Sequence, residues 1–285
     1  YLTQRLISLI PMMIGVSILV FAAIRLVPGD LITAQLGTEA GMLSDEQRQS
    51  LEAFYGLDKS PIEQYFIWMG DVLTGNLGLS VRQGQPVLDL ILSRFPITLE
   101  LAIISVFIAI IIGIPLGIIA AIYTNTVFDL LARVIAMIGL SVPNFLLGTL
   151  IIYVLSVYFR ILPNSGDYVS LTEDPIRNLQ QMIFPALTLG TSFAASVMRM
   201  TRSSMLEVLN EDYIRTARSK GLVEFLIIRR HALKNALIPV MTLIGIEFGY
   251  LLGGTFIVEQ IFAIPGIGRL TVNAITQRDY ALVQG

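Results

Sequence analysis

Apolar residues run along this chain in five long blocks: Leu6–Val27, Ile97–Tyr123, Leu131–Val157, Met182–Met198 and Ala236–Val258. A helix of about 20 mostly apolar residues crosses a bilayer. The pattern therefore predicts an all-α polytopic membrane protein with five spans. The fourth block is the most polar, with Thr188, Thr191, Ser192 and Ser196, and reads as a helix packed inside the bundle. The third is interrupted by Ser141-Val142-Pro143-Asn144-Phe145. Pro143 removes a backbone donor and Asn144 offers an amide, which predicts a kinked, cavity-facing stretch.

Between the first two blocks, the polar positions of residues 29–96 carry helix-start signals. Ser44 and Gln47, like Ser60 and Glu63, have capping-box spacing, and Pro61 occupies the favoured first helical position. The first of these helices presents Leu51, Phe54 and Tyr55 and should end at Gly56. The second presents Tyr65, Phe66, Trp68 and Met69; Trp68 suits either a membrane-interface anchor or the small core of this insert. Gly75, Gly78 and Gly84 predict a loop, and Pro86–Phe95 a separate short amphipathic helix on the bilayer surface. Three segments result: an N-terminal helix (1–28), a helical insert (29–96) and a membrane core (97–285).

Composition agrees with a lipid environment. The hydrophobic fraction is 54% and the charged fraction 14%, against roughly a quarter charged in soluble domains. A net charge of −2 gives no footprint for nucleic acid. With no cysteine and one histidine, His231, neither a thiolate nor a histidine metal site is expected, and no cofactor site is evident. The first apolar run is too long for a cleavable leader and lacks a small-residue cleavage site. The insert is acidic (Asp45, Glu46, Glu52, Asp58, Glu63, Asp71), whereas the loop between the fourth and fifth blocks is basic (Arg199, Arg202, Arg215, Arg218, Lys220, Arg229, Arg230, Lys234). The positive-inside rule then places the N-terminus and the basic loop (about 199–235) in the cytoplasm, and residues 29–96, 160–181 and 259–285 outside.

Small residues recur every fourth position in two spans, as Gly113 and Gly117, with Pro115 between them, and as Gly245, Gly249 and Gly253. Such stripes let helices approach closely, inside one chain or between two. Glu247 lies within the second stripe; an acid at membrane depth normally faces a bundle interior or a wet cavity. Pro143, Asn144 and Glu247 are therefore the pathway-lining candidates.

The basic loop holds the most specific pattern. Glu207, Glu211 and Asp212 precede Arg215, Arg218 and Lys220, a charge order that complements a helix dipole. Asn210 is the expected N-cap and Gly221 the expected residue just past the C-terminus. Ala217 and Gly221 give one face little bulk, as a partner's groove would require. Ala217-x-x-x-Gly221, then nine residues, then His231-Ala232-Leu233, resembles the EAA loop of binding-protein-dependent ABC importers. The run from Asp212 to Gly221, with Arg230 to Val240 after it, most resembles permease subunits of the dipeptide/oligopeptide group. Arg215 and Thr216 stand where the general pattern has Glu-Ala, and Lys234 where it has Pro; both departures resemble the peptide branch. Glu259–Arg269, whose Pro-Gly and Gly-Ile-Gly steps favour a turn carrying exposed apolar residues, is similar to an external loop over the pathway mouth in those permeases, and by composition also suits a re-entrant loop.

This resemblance implies a type I ABC importer transmembrane subunit with a sixth helix after the last residue of this sequence. It implies as partners a second homologous permease subunit, two ATPase subunits and an extracytoplasmic binding protein, in the cytoplasmic membrane of a bacterium or archaeon. The ATPase-coupling residues it assigns are Asn210, Glu211, Asp212, Tyr213, Arg215, Thr216, Ala217, Arg218, Lys220 and Gly221. The implied cargo is a peptide, with a nickel complex, glutathione or an oligosaccharide as family alternatives. The chain has no phosphate loop of the G-x-x-x-x-G-K-[ST] type, so ATP hydrolysis is expected on separate chains. A secondary transporter or channel would spread charge through several spans, and an intramembrane enzyme would need a nucleophile and base, which are not apparent. Topology is directly testable in this cysteine-free chain: in intact cells an impermeant thiol reagent should label Ser50→Cys and leave Ser219→Cys unlabelled. The opposite labelling would invert the assignment.

Overall fold

The computed structural model describes residues 2–26, 41, 43–54, 58–163 and 167–285. In chain order they form α1 (Leu2–Leu26), α2 (Asp45–Phe54), α3 (Pro61–Leu73), β1 (Leu79–Ser80), β2 (Gln85–Pro86), α4 (Val87–Ile122), α5 (Val127–Ser141), α6 (Asn144–Val154), α7 (Pro175–Leu209), α8 (Asp212–Ser219), α9 (Glu224–Leu226), α10 (Leu233–Gly254), α11 (Phe256–Ile261), α12 (Ile267–Thr276) and α13 (Tyr280–Gln284). Wider π-helical turns continue α6 over Leu155–Phe159 and lead into α10 over Ile227–Ala232. Among the described residues, four helical stretches are long and apolar enough to cross a membrane: Ile7–Leu26, Val87–Ile122, Pro175–Leu209 and Glu224–Gly253. The α5–α6 pair, bent by 97°, makes a fifth if it counts as one span.

The chain divides into two compact units. Residues Tyr1–Arg94 with Leu270–Gly285 form the first. Here both capping boxes are present: Ser44 N–H donates to Gln47 Oε1 (2.9 Å) and Gln47 N–H to Ser44 Oγ (3.2 Å), and Ser60 and Glu63 exchange the same pair of bonds. The Ser60 backbone and hydroxyl hold the Glu63 carboxyl below the ordinary carboxylate range, so this cap weakens as pH falls through that lowered value. The expected stop of α2 at Tyr55 and Gly56 lies outside the described residues. β1 and β2 pair antiparallel, Leu79 with Pro86 and Ser80 with Gln85. Gly84, at φ +64°, supplies a left-handed backbone position in the connecting turn. Asp279 accepts the Ser80 hydroxyl and caps α13 through Leu282 N–H (3.3 Å). Val87, Leu90, Ala274 and Leu282 form the apolar core beneath.

Residues Phe95–Arg269 form the second unit, built around α7. Two-thirds of the α7 span is buried within the chain (67%), far more than any other span. Its polar side chains are thereby shielded, as the sequence pattern required. Thr188 and Thr191 donate to the carbonyls of Phe184 and Leu187 one turn back (2.9 and 2.8 Å). α4 lies so close to α7 that a Cβ at Gly113 would stand 2.7 Å from Ala194 O, and one at Gly117 2.6 Å from Thr201 Cβ. Gly190 of α7 is equally confined, 2.9 Å from Ser105 O. The first glycine stripe is thus an intramolecular seam. The second is not: nothing lies within 4 Å of a Cβ at Gly245, Gly249 or Gly253. α10 instead turns Ala236, Val240 and Ile244 inward and leaves Ile238, Met241, Ile246 and Tyr250 exposed.

Two expectations are corrected. Pro86–Phe95 is not a separate surface helix, because α4 runs without a break from Val87 to Ile122 with Pro96 inside it. Proline bends a helix and removes one donor, yet apolar packing on both sides of Pro96, through Val87 and Leu90 before it and Ile97 and Leu101 after it, keeps the helix continuous. Glu259–Arg269 does turn, over residues 262–266 between α11 and α12, but its apolar residues are not displayed to the outside: Phe262 and Ile264 are buried.

Gly117→Leu should destabilise the second unit by at least the roughly 1–3 kcal/mol typical of overpacking, since backbone and a β-branched Thr201 stand in the way. Gly249→Leu should leave the isolated chain's unfolding temperature unchanged. Thermal unfolding of both purified variants in detergent, followed by circular dichroism, checks the contrast; equal losses would mean the two stripes are not packed as described.

Candidate functional site

At the end of the second unit where α4 finishes and α7 projects beyond its apolar part, α8 lies across the base of the bundle. α7 stops because Asn210 closes its last turn, with its backbone N–H on Glu207 O (3.2 Å) and its side-chain amide on Leu206 O (2.8 Å). Asn210 is therefore the C-cap of α7 and not the N-cap of α8; that position belongs to Glu211 in extended conformation. Its side chain makes no capping bond. Gly221, at φ +77°, ends α8 in the left-handed region, with its N–H on Arg218 O (2.9 Å).

The inward face of α8 is Ile214 and Ala217, one turn apart and both buried. They pack with Ala121 of α4, Met205 of α7, and Ile227, Ala232 and Ala236. Ala217 is thus small because the bundle lies against it, and it is not free to meet a partner's groove. Asp212, Tyr213, Arg215, Thr216, Arg218, Ser219 and Lys220 form the outward, exposed face. Arg218 forks onto Glu224 (3.1 and 2.7 Å), which raises the guanidinium pKa further and pins the loop after α8. Tyr213 hydroxyl accepts from the Asn235 amide (2.8 Å), tying α8 to the start of α10.

Beside this platform, a fully buried Asp129 of α5 receives Arg202 of α7 through two nitrogens (2.6 and 2.9 Å) and the Asn125 N–H (3.0 Å); Arg133 lies 3.4 Å away. At the opposite end of the unit, a fully buried Glu259 accepts the hydroxyls of Thr98 (2.7 Å) and Thr255 (2.9 Å) and the N–H of Arg269 (2.8 Å). Thr98 in turn accepts Ile267 N–H (2.8 Å). The carboxylate thus sits on the N-terminal turn of α12, where a helix dipole favours negative charge. A Cβ on Gly266 would collide with it. Nearby, Tyr168 donates to Glu100 (2.8 Å) and accepts from Asn178 (3.3 Å); burial first, and Glu100 second, raise its pKa well above the ordinary value and keep the hydroxyl a donor.

Comparison with known proteins decides what these features belong to. The family of binding-protein-dependent transport system inner membrane components matches residues 113–285, and the N-terminal region of such membrane components matches residues 1–102. The chain is 40% identical to the dipeptide transport system permease protein DppB of Escherichia coli K12, over all of this chain and 90% of that one. It is 42% identical to the glutathione transport system permease protein GsiC of Escherichia coli O6:H1, over all of this chain and 89% of that one.

The chain belongs to this family.

It is a multi-pass permease subunit of the dipeptide/glutathione group of ABC importers. A crystal structure of an amino acid ABC transporter shares the fold, with a TM-score of 0.51 at 18% identity, over 68% of this chain and 83% of that one.

Within the permease, no hydrogen bond or ion pair joins the three pathway candidates among the described residues. Pro143 is the exposed N-cap of α6 and Asn144, half-buried, its first residue, at the elbow between α5 and α6. Glu247 is half-buried on α10, and among the described residues it has no hydrogen bond or ion pair. Sequence reasoning missed Glu100, Asp129 and Glu259. The sequence does hold signals for two of them: Glu100 is an acid inside an apolar block, and Asp129 stands four residues before Arg133. The partner Arg202 lies 73 residues away and could not be assigned without the fold.

Asp129→Ala would strand Arg202 in a largely buried site, which typically costs about 3–5 kcal/mol when the pair is broken. Ala217→Trp should be comparably disruptive, because its place is in the core. Gly221→Val should cost about 1–2 kcal/mol through its positive φ alone. Unfolding temperatures of the purified variants should follow that order; a Trp at 217 that leaves stability intact would show that α8 does not pack as seen.

Proposed function

We propose that this permease is one of two homologous membrane subunits that move a peptide delivered by an extracytoplasmic binding protein, driven by two ATPase subunits on separate chains. The observation that carries the coupling role is the division of α8 into two faces. Ile214 and Ala217 fix it to α4, α7 and the start of α10, while Asp212, Tyr213, Arg215, Thr216, Ser219 and Lys220 present a polar surface to the outside. A helix held in this way passes a push on its outer face directly into the spans beneath. Asn210, Glu211, Arg218 and Gly221 set its ends and orientation.

Peptide is the favoured cargo because DppB is named for dipeptides, and GsiC for glutathione, itself a modified tripeptide. Nickel complexes and oligosaccharides are the remaining family alternatives. The basic loop supports a cytoplasmic position for α8 and for the N-terminus, in the cytoplasmic membrane of a bacterium or archaeon. The open stripe at Gly245, Gly249 and Gly253 supports a close approach by the second subunit along α10, and Pro143, Asn144 and Glu247 are assigned to the pathway wall. Separate ATPase chains distinguish this reading from a secondary transporter or channel, whose uptake would not depend on them.

Thr216→Trp tests the coupling role without touching the core. The variant should insert and unfold like the unmodified chain, yet lose at least about tenfold in ATP hydrolysis stimulated by binding protein and substrate, the effect of roughly 1.4 kcal/mol of lost docking. Labelled dialanine and glutathione uptake, measured in the same vesicles, reports the cargo. Full stimulation in Thr216→Trp would remove α8 as the docking surface.

A further inference from the structure

The 13 residues of α3 are too few to cross a bilayer, and their place between two spans suggests a helix in water. Three contacts with α1 argue otherwise. Tyr65 hydroxyl lies 2.9 Å from Ser17 Oγ. The rings of Tyr65 and Trp68 pack on Phe21, with centroids 5.3 and 5.8 Å away. Gln64 Oε1 accepts from Arg25 Nε (2.9 Å) and Nη2 (2.7 Å), while the same guanidinium lies over the Phe21 ring at 3.4 Å. Ser17, Phe21 and Arg25 are successive turns of one face of α1.

Their depth is fixed by the span itself. The apolar stretch of α1 is Ile7–Leu26, so Ser17 lies near its middle. At 1.5 Å per residue it is about 13 Å below the Leu26 end. A helix beside residues 17–25 of α1 therefore lies alongside hydrocarbon and headgroups. Its remaining surface agrees. With about 100° between successive residues, Ile62, Phe66 and Leu73 fall within about 40° of one another. They are 70%, 67% and 80% exposed. This stripe adjoins the one that meets α1, with Tyr65 about 60° from Ile62, and the remaining arc carries Glu63, the exposed Ile67 and, beside Gln64, Asp71.

We propose that α3 is sunk into the leaflet around the C-terminal half of α1, and that acyl chains cover Ile62, Phe66 and Leu73. Lipid is the occupant because this face continues the surface of α1, whose span is only 6% buried within the chain and must meet lipid. An amphipathic helix at that level buries its apolar side by about 5–10 Å, as the contacts with Phe21 and Ser17 require.

Trp68 is the single tryptophan of the chain, which makes its emission a direct reporter. The whole chain is reconstituted in phosphatidylcholine vesicles, with and without bromine on the acyl chains, and iodide serves as the aqueous quencher. Because Trp68 is half-buried against Phe21, Phe66→Trp in a Trp68→Phe background reports the outward stripe itself. Acyl bromine should lower the emission of residue 66 by about twofold or more and that of Trp68 by less, with iodide nearly without effect on either. Stronger quenching by iodide than by bromine at residue 66 would place α3 in water. Quenching there by neither would mean a protein surface covers the stripe. Each of these two results overturns the proposal.

Discussion

The seam between α4 and α7 is the constraint on which the second unit depends. Lipid is as apolar as leucine, so two spanning helices gain little from hiding oily surface and associate through close packing. Gly113 and Gly117 on α4, with Gly190 on α7, remove the side chains that would hold the backbones apart. α7 can then be surrounded by α4, α5 and α10. That enclosure makes a span rich in threonine and serine tolerable, and the hydroxyls of Thr188 and Thr191 bond to carbonyls of the preceding turn.

Both ends of this packed unit are closed by buried carboxylates of different kinds. Asp129 is neutralised by a bidentate arginine from α7, which fixes α5 to the central helix. Glu259 takes two hydroxyls and one backbone N–H, joining the first third of α4, the break after α10 and the first turn of α12. Buried charge is costly unless its bonds are complete. Completing them requires residues from distant parts of the chain to meet, so each carboxylate specifies one arrangement of its surroundings.

Between these ends lies the α5–α6 elbow. Val142 is extended, Pro143 offers no donor, and the two helices diverge by 97°. α5 is tied to α7 by the pairing of Asp129 with Arg202, and Arg202 lies one turn of α7 from Met205, against which Ile214 and Ala217 of α8 pack.

The sequence by itself determined what one residue and its near neighbours can decide. Spans follow from the length of apolar runs, capping boxes from residues three apart, and the left-handed end of α8 from a glycine that tolerates φ +77°. The family pattern was legible for the same reason, since its residues are close together in the chain. The tertiary structure alone decided which faces those elements use. Two glycine stripes with the same spacing are alike as sequence, yet one is pressed against α7 and the other is open, because α10 meets the bundle through Ala236, Val240 and Ile244. Ala217 looked like room left for a partner and is room taken by the bundle. Asn210 could cap either of two helices and closes the earlier one. Long-range pairs such as Asp129 with Arg202 and Glu259 with Thr98 exist only once the helices have packed, because a charge finds its partner through space and not along the chain.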